Sequence, residues 1–254
     1  MKYFIITGTS KGLGEAIAEQ LIHPNHHLFC ISRTINTKLI TKAKTMDGKL
    51  NYFEFDLNNV QQIGELMKEI FHQIDLNEAE AIYLINNAGI VTPIKPIDKA
   101  DHEEVIANIQ VNLIAPMLLT SSFIQLTESF SQEKRIYNIS SGAGKKPYYG
   151  WSAYSSAKAG IDMFTQCVGI EQEERHSTVK IISVAPGVVE TNMQEAIRST
   201  DIEDFIYKER FVQMKEQGTL QTPEAAAKKL VHIFLHEELQ NGQVIDIRDF
   251  SFEN

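Results

Sequence analysis

Short unbroken apolar runs alternate along this chain with stretches in which apolar residues return every three or four positions. The runs Tyr3–Thr7, His27–Ser32, Leu50–Asp56, Ala81–Ile85, Lys134–Ser141, Val179–Pro186 and Gln243–Arg248 read as strands. Such runs do not alternate with polar residues, which points to strands covered on both faces. Between them lie helical stripes. One passes through Leu13, Ile17 and Leu21 and stops near Pro24; another spans Ile63–Phe71. A long one runs from Asp101 to about Ser129, with Pro116 permitting a kink. Ala153, Ala157, Ile161, Phe164 and Val168 form the next stripe. The last starts at Thr222, an N-cap with Pro223 at the first helical position, and reaches about His236. Strand and helix alternating throughout predict an α/β fold: one doubly wound parallel sheet with helices on both faces and ligand at the strands' carboxyl ends. The polar stretch at about 188–221 carries scattered Phe205, Tyr207, Phe211 and Met214. It reads as one or two short helices forming a cover over a site.

The 254 residues, 43% hydrophobic, suffice for a single domain with a sizeable core. A net charge of −9 argues against nucleic acid or an anionic membrane as partner. The apolar run before Gly8 is too short for a secretory leader, and no apolar stretch approaches the roughly 20 residues that span a bilayer. Cys30 and Cys167 lie in apolar runs without metal-ligand spacing, which predicts buried free thiols in a reducing cytoplasm and no metal site. No internal repeat, low-complexity tract or linker interrupts the chain.

Chemistry concentrates where the predicted strands end. The first strand empties into Gly8-Thr-Ser10-Lys11-Gly12-Leu13-Gly14 and then a helix. Glycines let backbone approach a pyrophosphate, and the helix start offers N–H groups to it. About 20 residues further on, an acidic residue would hold ribose hydroxyls. The chain has Arg33 there instead, which together with Lys11 suits a 2′-phosphate and so NADP(H); an ordinary surface arginine is the alternative. Asp56 stands where a strand end could meet an adenine edge. Asn87, Ala88 and Gly89 follow the fourth strand, small enough to pack beside a cofactor or simply to form a tight turn. Asn112 sits inside an apolar helix, where its amide needs partners. Ser141 closes the fifth strand. Tyr154 and Lys158 share one helix face a turn apart, and a cation there could lower a phenol whose ordinary pKa is about 10. Trp151, just before them, offers a flat wall for an aromatic or bicyclic carbonyl compound, or else a core contact.

The set Gly8-x-x-x-Gly12-x-Gly14, Asn86-Asn87-Ala88-Gly89, Asn112, Ser141, Tyr154-x-x-x-Lys158 and Pro186-Gly187 resembles the short-chain dehydrogenase/reductase family over essentially the whole chain. The resemblance implies a Rossmann fold binding NADP(H) and catalysis by Ser141, Tyr154, Lys158 and Asn112. Tyr154 would act as general acid and Ser141 would steady the carbonyl oxygen. Lys158 would hold the nicotinamide ribose and depress the Tyr154 pKa, and Asn112 would place a water. The cofactor would lie along Gly8, Ser10, Lys11, Gly12, Leu13 and Gly14, then Arg33, Asp56, Asn87, Ala88 and Gly89. It would end against Pro186, Gly187, Val189 and Thr191.

Within the family, Gly150-Trp151-Ser-Ala-Tyr154 and the ending Asn241-Gly242 to Asp249 are similar to sepiapterin reductases and to bacterial relatives that reduce benzil to (S)-benzoin. This implies an NADPH-dependent carbonyl reductase acting on aromatic 1,2-diketones, with Ser141, Trp151 and Asp249 meeting the substrate. Pterin reduction is the nearer alternative. A reductase of carrier-bound 3-ketoacyl groups is another, though only Lys145-Lys146 offers a basic docking doublet for an acidic carrier. A non-catalytic NADP sensor could have discarded the tyrosine or lysine, and this chain keeps both. Family habit further implies a cytoplasmic homodimer or homotetramer.

Overall fold

A computed structural model describes residues 1–177 and 179–252. Seven parallel strands form one sheet in the order β3-β2-β1-β4-β5-β6-β7. These are β1 Lys2–Thr7, β2 His26–Ser32, β3 Lys49–Glu54, β4 Ala81–Asn86, β5 Glu133–Ile139, β6 Val179–Ala185 and β7 Val244–Asp246. The helices are α1 Gly12–Leu21, α2 Thr37–Thr45, α3 Ile63–Phe71, α4 His102–Ile109, α5 Ala115–Leu126, α6 Ser152–Glu174, α7 Asn192–Ser199, α8 Lys208–Glu216 and α9 Pro223–His236. Strand order reverses between β1 and β4, which opens a crevice at their carboxyl ends.

The alternation of side chains along the strands divides the core in two. Phe4, Ile6, Leu28, Cys30, Tyr83 and Ile85 face α1, α2 and α9. Ile5, Phe29, Ile31, Ile82 and Leu84 face α3, α5 and α6. Both sets are buried, so the central strands carry apolar residues on both faces, the pattern from which the parallel sheet was expected.

Several expectations are corrected. Helix α2 breaks the segment after β2, where no helix was predicted. It buries only Leu39 and Ala43, too sparse a stripe to stand out, and Asn36 starts it by accepting from Leu39 N at 3.0 Å. β5 stops at Ile139, two residues short of Ser141. β7 is three residues long, because Asp246 caps a 3₁₀ turn, Ile247–Asp249, where strand was expected to continue. Cys30 is buried as predicted, but Cys167 is exposed, since it falls off the buried α6 stripe of Ile161, Thr165, Val168 and Gln172. The segment His102–Leu126 forms one 25-residue helical run containing an 18-residue window with a mean hydropathy of 1.4, long and apolar enough by those measures to cross a membrane. In this fold it packs on the sheet through Ala115, Leu119 and Phe123, while Ile106, Met117 and Leu118 stay exposed on its outer face.

Candidate active site

At the crevice, β1 turns through Gly8 with φ +75°, a conformation that side chains disfavour. A Cβ on Gly8 would stand 2.9 Å from the Ala88 backbone, so β1 and the loop after β4 meet too closely for any larger residue. A Cβ on Gly14 would run into Gly8 O and Asn87 Nδ2, which lets α1 begin directly over the strand end. Thr7 locks the junction: its Oγ1 accepts from Asn87 N and from Ala88 N, each at 3.0 Å. No side chain caps the N-terminus of α1. Its first N–H groups are therefore left for an anion, and the positive end of the helix dipole favours one.

A cleft of about 500 Å³ runs from this turn to the Tyr154 end of the sheet. Gly8, Ser10, Lys11, Gly12, Leu13, Gly14, Arg33, Asp56, Asn87, Ala88, Gly89, Pro186, Gly187, Val189 and Thr191 all line it, as do Ser141, Trp151, Tyr154 and Lys158. At the Arg33 end the cleft wall is ordered by hydroxyl side chains of Thr9, Ser32 and Tyr52. Tyr52 OH takes a bond from Thr9 Oγ1 at 3.1 Å and lies 2.5 Å from Ser32 Oγ. An uncapped helix start, glycines without room for Cβ, and the buried, unpartnered hydroxyl of Ser140 on the cleft wall all suit a phosphate-bearing dinucleotide.

Tyr154 and Lys158 project from α6 into the cleft, both almost fully buried. Lys158 Nζ donates to Ile139 O at 2.8 Å and lies 5.8 Å from the centre of the Tyr154 ring. Burial pulls the Lys158 pKa down to about 8, while Asp162 one turn further along α6 pulls it back up. The expected lowering of Tyr154 by Lys158 is reversed. Burial raises the phenol, and the neighbouring Ser141 hydroxyl is what pulls it down. Tyr154 therefore keeps its proton at neutral pH and has it available to donate.

Asn112 stands behind these groups and does not line the cleft. It occupies a π turn, Gln110–Ile114, between α4 and α5. Pro116, four residues on, has no N–H to give the Asn112 carbonyl, so the α-helical ladder cannot continue unchanged. Its side chain clasps one residue: Ile90 N donates to Oδ1 at 3.0 Å and Nδ2 donates to Ile90 O at 2.7 Å. Asn108 extends the clasp by donating to Thr92 O at 2.6 Å. The amide is satisfied by protein groups and fixes the loop beside Lys158. A Cβ on Gly89 would lie 2.9 Å from Asn112 Oδ1 and 3.7 Å from Lys158 Nζ.

Trp151 fills both of its predicted places. It touches the cleft, yet it is 5% exposed and stacks on Phe205 with ring centres 4.6 Å apart. Phe211 and the edge of Tyr154 complete its surroundings. Helices α7 and α8 thus seat on the active-site loop through one aromatic cluster. A Glu190 carboxylate bonded to Arg198 at 2.7 Å and Lys215 at 3.1 Å ties both helices to the chain leaving β6.

Asp249, the predicted substrate anchor, does not line the cleft. It is exposed, and its carboxylate accepts from Asp246 N at 3.3 Å, closing the 3₁₀ turn. The residues this turn presents to the cleft are Asp246 and Arg248, which sequence reasoning passed over. Arg210 also lines it and was likewise missed, and Lys146, read from sequence only as half of a basic docking doublet, lines it too. The acid-x-Arg-acid pattern Asp246-Ile-Arg248-Asp249 was the available signal, since an acid two residues ahead of an arginine can cap a turn and hold the guanidinium.

A family model described as short chain dehydrogenase matches residues 2–202. A "benzil reductase ((S)-benzoin forming)" of Bacillus cereus is 48% identical over 97% of this chain and 99% of its own length. Its namesake in Bacillus subtilis is 42% identical over 98% of this chain and 100% of its own. Among solved structures, the KRED1-Pglu enzyme superposes with a TM-score of 0.81 at 28% identity, covering 96% of this chain and 100% of its own. A Beutenbergia cavernae protein described as a putative gluconate 5-dehydrogenase with bound NADP shares the fold, with a TM-score of 0.78 at 22% identity over 97% and 94% of the two chains.

Proposed function

Because the chain belongs to the short-chain dehydrogenase family, we propose that this oxidoreductase is an NADPH-dependent reductase converting an aromatic 1,2-diketone such as benzil to (S)-benzoin. Carbonyl reduction follows from its full-length likeness to the two bacterial benzil reductases; the cofactor form, the product's hand and the residue roles are our own reading. One observation carries it: Ser141, a protonated Tyr154 and Lys158 meet at one end of the same cleft whose other end is the glycine turn with Arg33 and Lys11.

In that reading the uncapped start of α1 would take the cofactor's phosphates, Arg33 and Lys11 would hold a 2′-phosphate, and Thr191 and Lys158 would hold the nicotinamide end. Held there, a reduced nicotinamide would supply hydride chemistry, and this chain's residues would supply position and the proton. Tyr154 gives its proton to the carbonyl oxygen, and the Ser141 hydroxyl donates to that oxygen as charge develops on it. The Asn112 clasp keeps the wall beside Lys158 in place. The segment at about 188–221 covers the reacting groups and excludes water. Exposed Ile106, Met117, Leu118, Met163 and Ile170 on α4, α5 and α6 support pairing of two copies through those helices in the cytoplasm.

No geometry favours the pterin alternative, since Asp249 stands outside the cleft. The deciding experiment supplies the purified chain with NADPH and benzil, follows cofactor absorbance, and resolves the benzoin on a chiral column. Cofactor consumption with mainly (S)-benzoin is the expected result. Inertness toward benzil alongside turnover of sepiapterin or a ketoacyl thioester would transfer the assignment to that substrate.

A further inference from the structure

Three cations ring the substrate end of the cleft, each from a different element: Lys146 from the loop before α6, Arg210 from α8, and Arg248 from the turn after β7. Tyr148 is a neighbour of two of them. Lys146 Nζ lies 5.5 Å from its ring centre. Arg248 is within electrostatic reach of its phenol. Arg210 adjoins Phe211, which with Tyr148 packs on Trp151. Arg248 is already positioned. Its Nε donates to Asp246 Oδ1 at 2.8 Å and its Nη2 to Asp246 Oδ2 at 2.6 Å. This two-bond grip on a buried carboxylate fixes the guanidinium plane of a residue that lines the cleft. Neither Lys146 nor Arg210 takes part in an ion pair among the described residues. Asp246 is the one carboxylate on this end of the lining, in a chain whose net charge is −9. A local positive field on an acidic protein attracts an anion, and an arginine held in advance by a carboxylate loses little freedom on binding one.

We propose that Arg248, with Lys146 and Arg210, selects substrates carrying a carboxylate remote from the carbonyl that is reduced. The inference rests on the carbonyl-reductase reading and narrows it: benzil fits the aromatic wall but offers no anion to Lys146 and Arg210, or to Arg248 beyond its pair with Asp246. A small anion is favoured over an acidic carrier protein because Arg248 and Arg210 line the cleft itself.

The test compares benzil with benzil-4-carboxylate, using NADPH for turnover and fluorescence of Trp151, the chain's single tryptophan, for binding. The carboxylate should show a KM and an apparent Kd about tenfold lower at low salt, and the gap should close in roughly 0.5 M KCl. In Arg248→Gln the ratio of kcat/KM for carboxylate over neutral diketone should fall about tenfold, and Arg248→Lys should restore part of it. Lys146→Gln and Arg210→Gln should lower it by smaller steps. Equal or weaker binding of the carboxylate by the wild type, or a ratio unmoved in all three neutral variants, overturns the inference. A carrier-bound acetoacetyl group reduced with the higher kcat/KM overturns it as well. Tighter fluorescence binding of the carboxylate without turnover of either compound upholds the anion site while removing the diketone-reductase reading.

Discussion

Lys158 lies one helical turn from Tyr154 with its ammonium 5.8 Å from the ring centre, and its hydrogen bond goes to the Ile139 carbonyl instead of the phenol. The pair is thus joined through the strand end they both overlook. Lys158 is the member that titrates near working pH, because burial has brought it down to about 8.

This gives the reaction a basic limb. In the free enzyme kcat/KM for ketone reduction should be level below neutrality and fall as pH rises through about 8, as Lys158 loses its charge. Tyr154, raised by burial, stays protonated across that range and adds no limb of its own. Lys158→Arg should move the fall upward, and a pH profile of Lys158→Met that kept the wild-type limb would assign it elsewhere. Stability follows the same group. The folded chain binds this proton more weakly than the unfolded chain, whose lysine titrates near 10.5. Between about 8 and 10.5 the unfolded state holds more protons, so resistance to heat should gain from rising pH. Lys158→Met should lose that gain in a melting series.

Tyr154→Phe keeps the ring that packs on Trp151 and removes the proton donor. Reduction should drop by about 10²–10⁴-fold, while NADPH binding measured by fluorescence stays near wild type. Turnover within a factor of two of wild type would exclude the phenol from proton transfer.

Gly14→Ala places a methyl against Gly8 O and Asn87 Nδ2, both of them anchored. The start of α1 must shift, at a cost of about 1–3 kcal/mol in stability. Dinucleotide affinity should fall with it, since the same N–H groups move. Denaturant titration and NADPH binding on one preparation check both effects.

Arg33→Ala removes the cation proposed to meet the 2′-phosphate. A charged hydrogen bond of about 1.5–3 kcal/mol corresponds to roughly 10–150-fold in KM for NADPH, with NADH little changed. Steady-state KM values for both cofactors decide it, and parallel changes in the two would leave Arg33 a surface residue.

The architecture was legible because every core strand is apolar on both faces, so Phe4, Ile5 and Ile6 mark β1 without ambiguity. The glycine turn was legible because its spacing answers a steric demand between Gly8, Gly14 and Asn87. Elements with little buried surface were not. Helix α2 shows only Leu39 and Ala43 to the core. The end of β7 was misjudged because its fate rests on Asp246 choosing to cap a turn, a three-dimensional decision that hydrophobic pattern does not encode. The same decision turned Asp249 outward and Arg248 toward the cleft. The basic residues of the mouth come from positions 146, 210 and 248, far apart in the chain, and only folding brings them together.

The Asn112 clasp on Ile90 and the Thr7 lock on Asn87 and Ala88 involve no side chain from the 188–221 segment or the last turn. Floor and roof meet instead at Thr191, beside Gly12, and in the cluster around Trp151. Anyone wishing to retarget this scaffold to new ketones can treat the outward positions of α8 and the Ile247–Asp249 turn as a replaceable cassette, provided that Thr191 and the residues packed on Trp151 are kept.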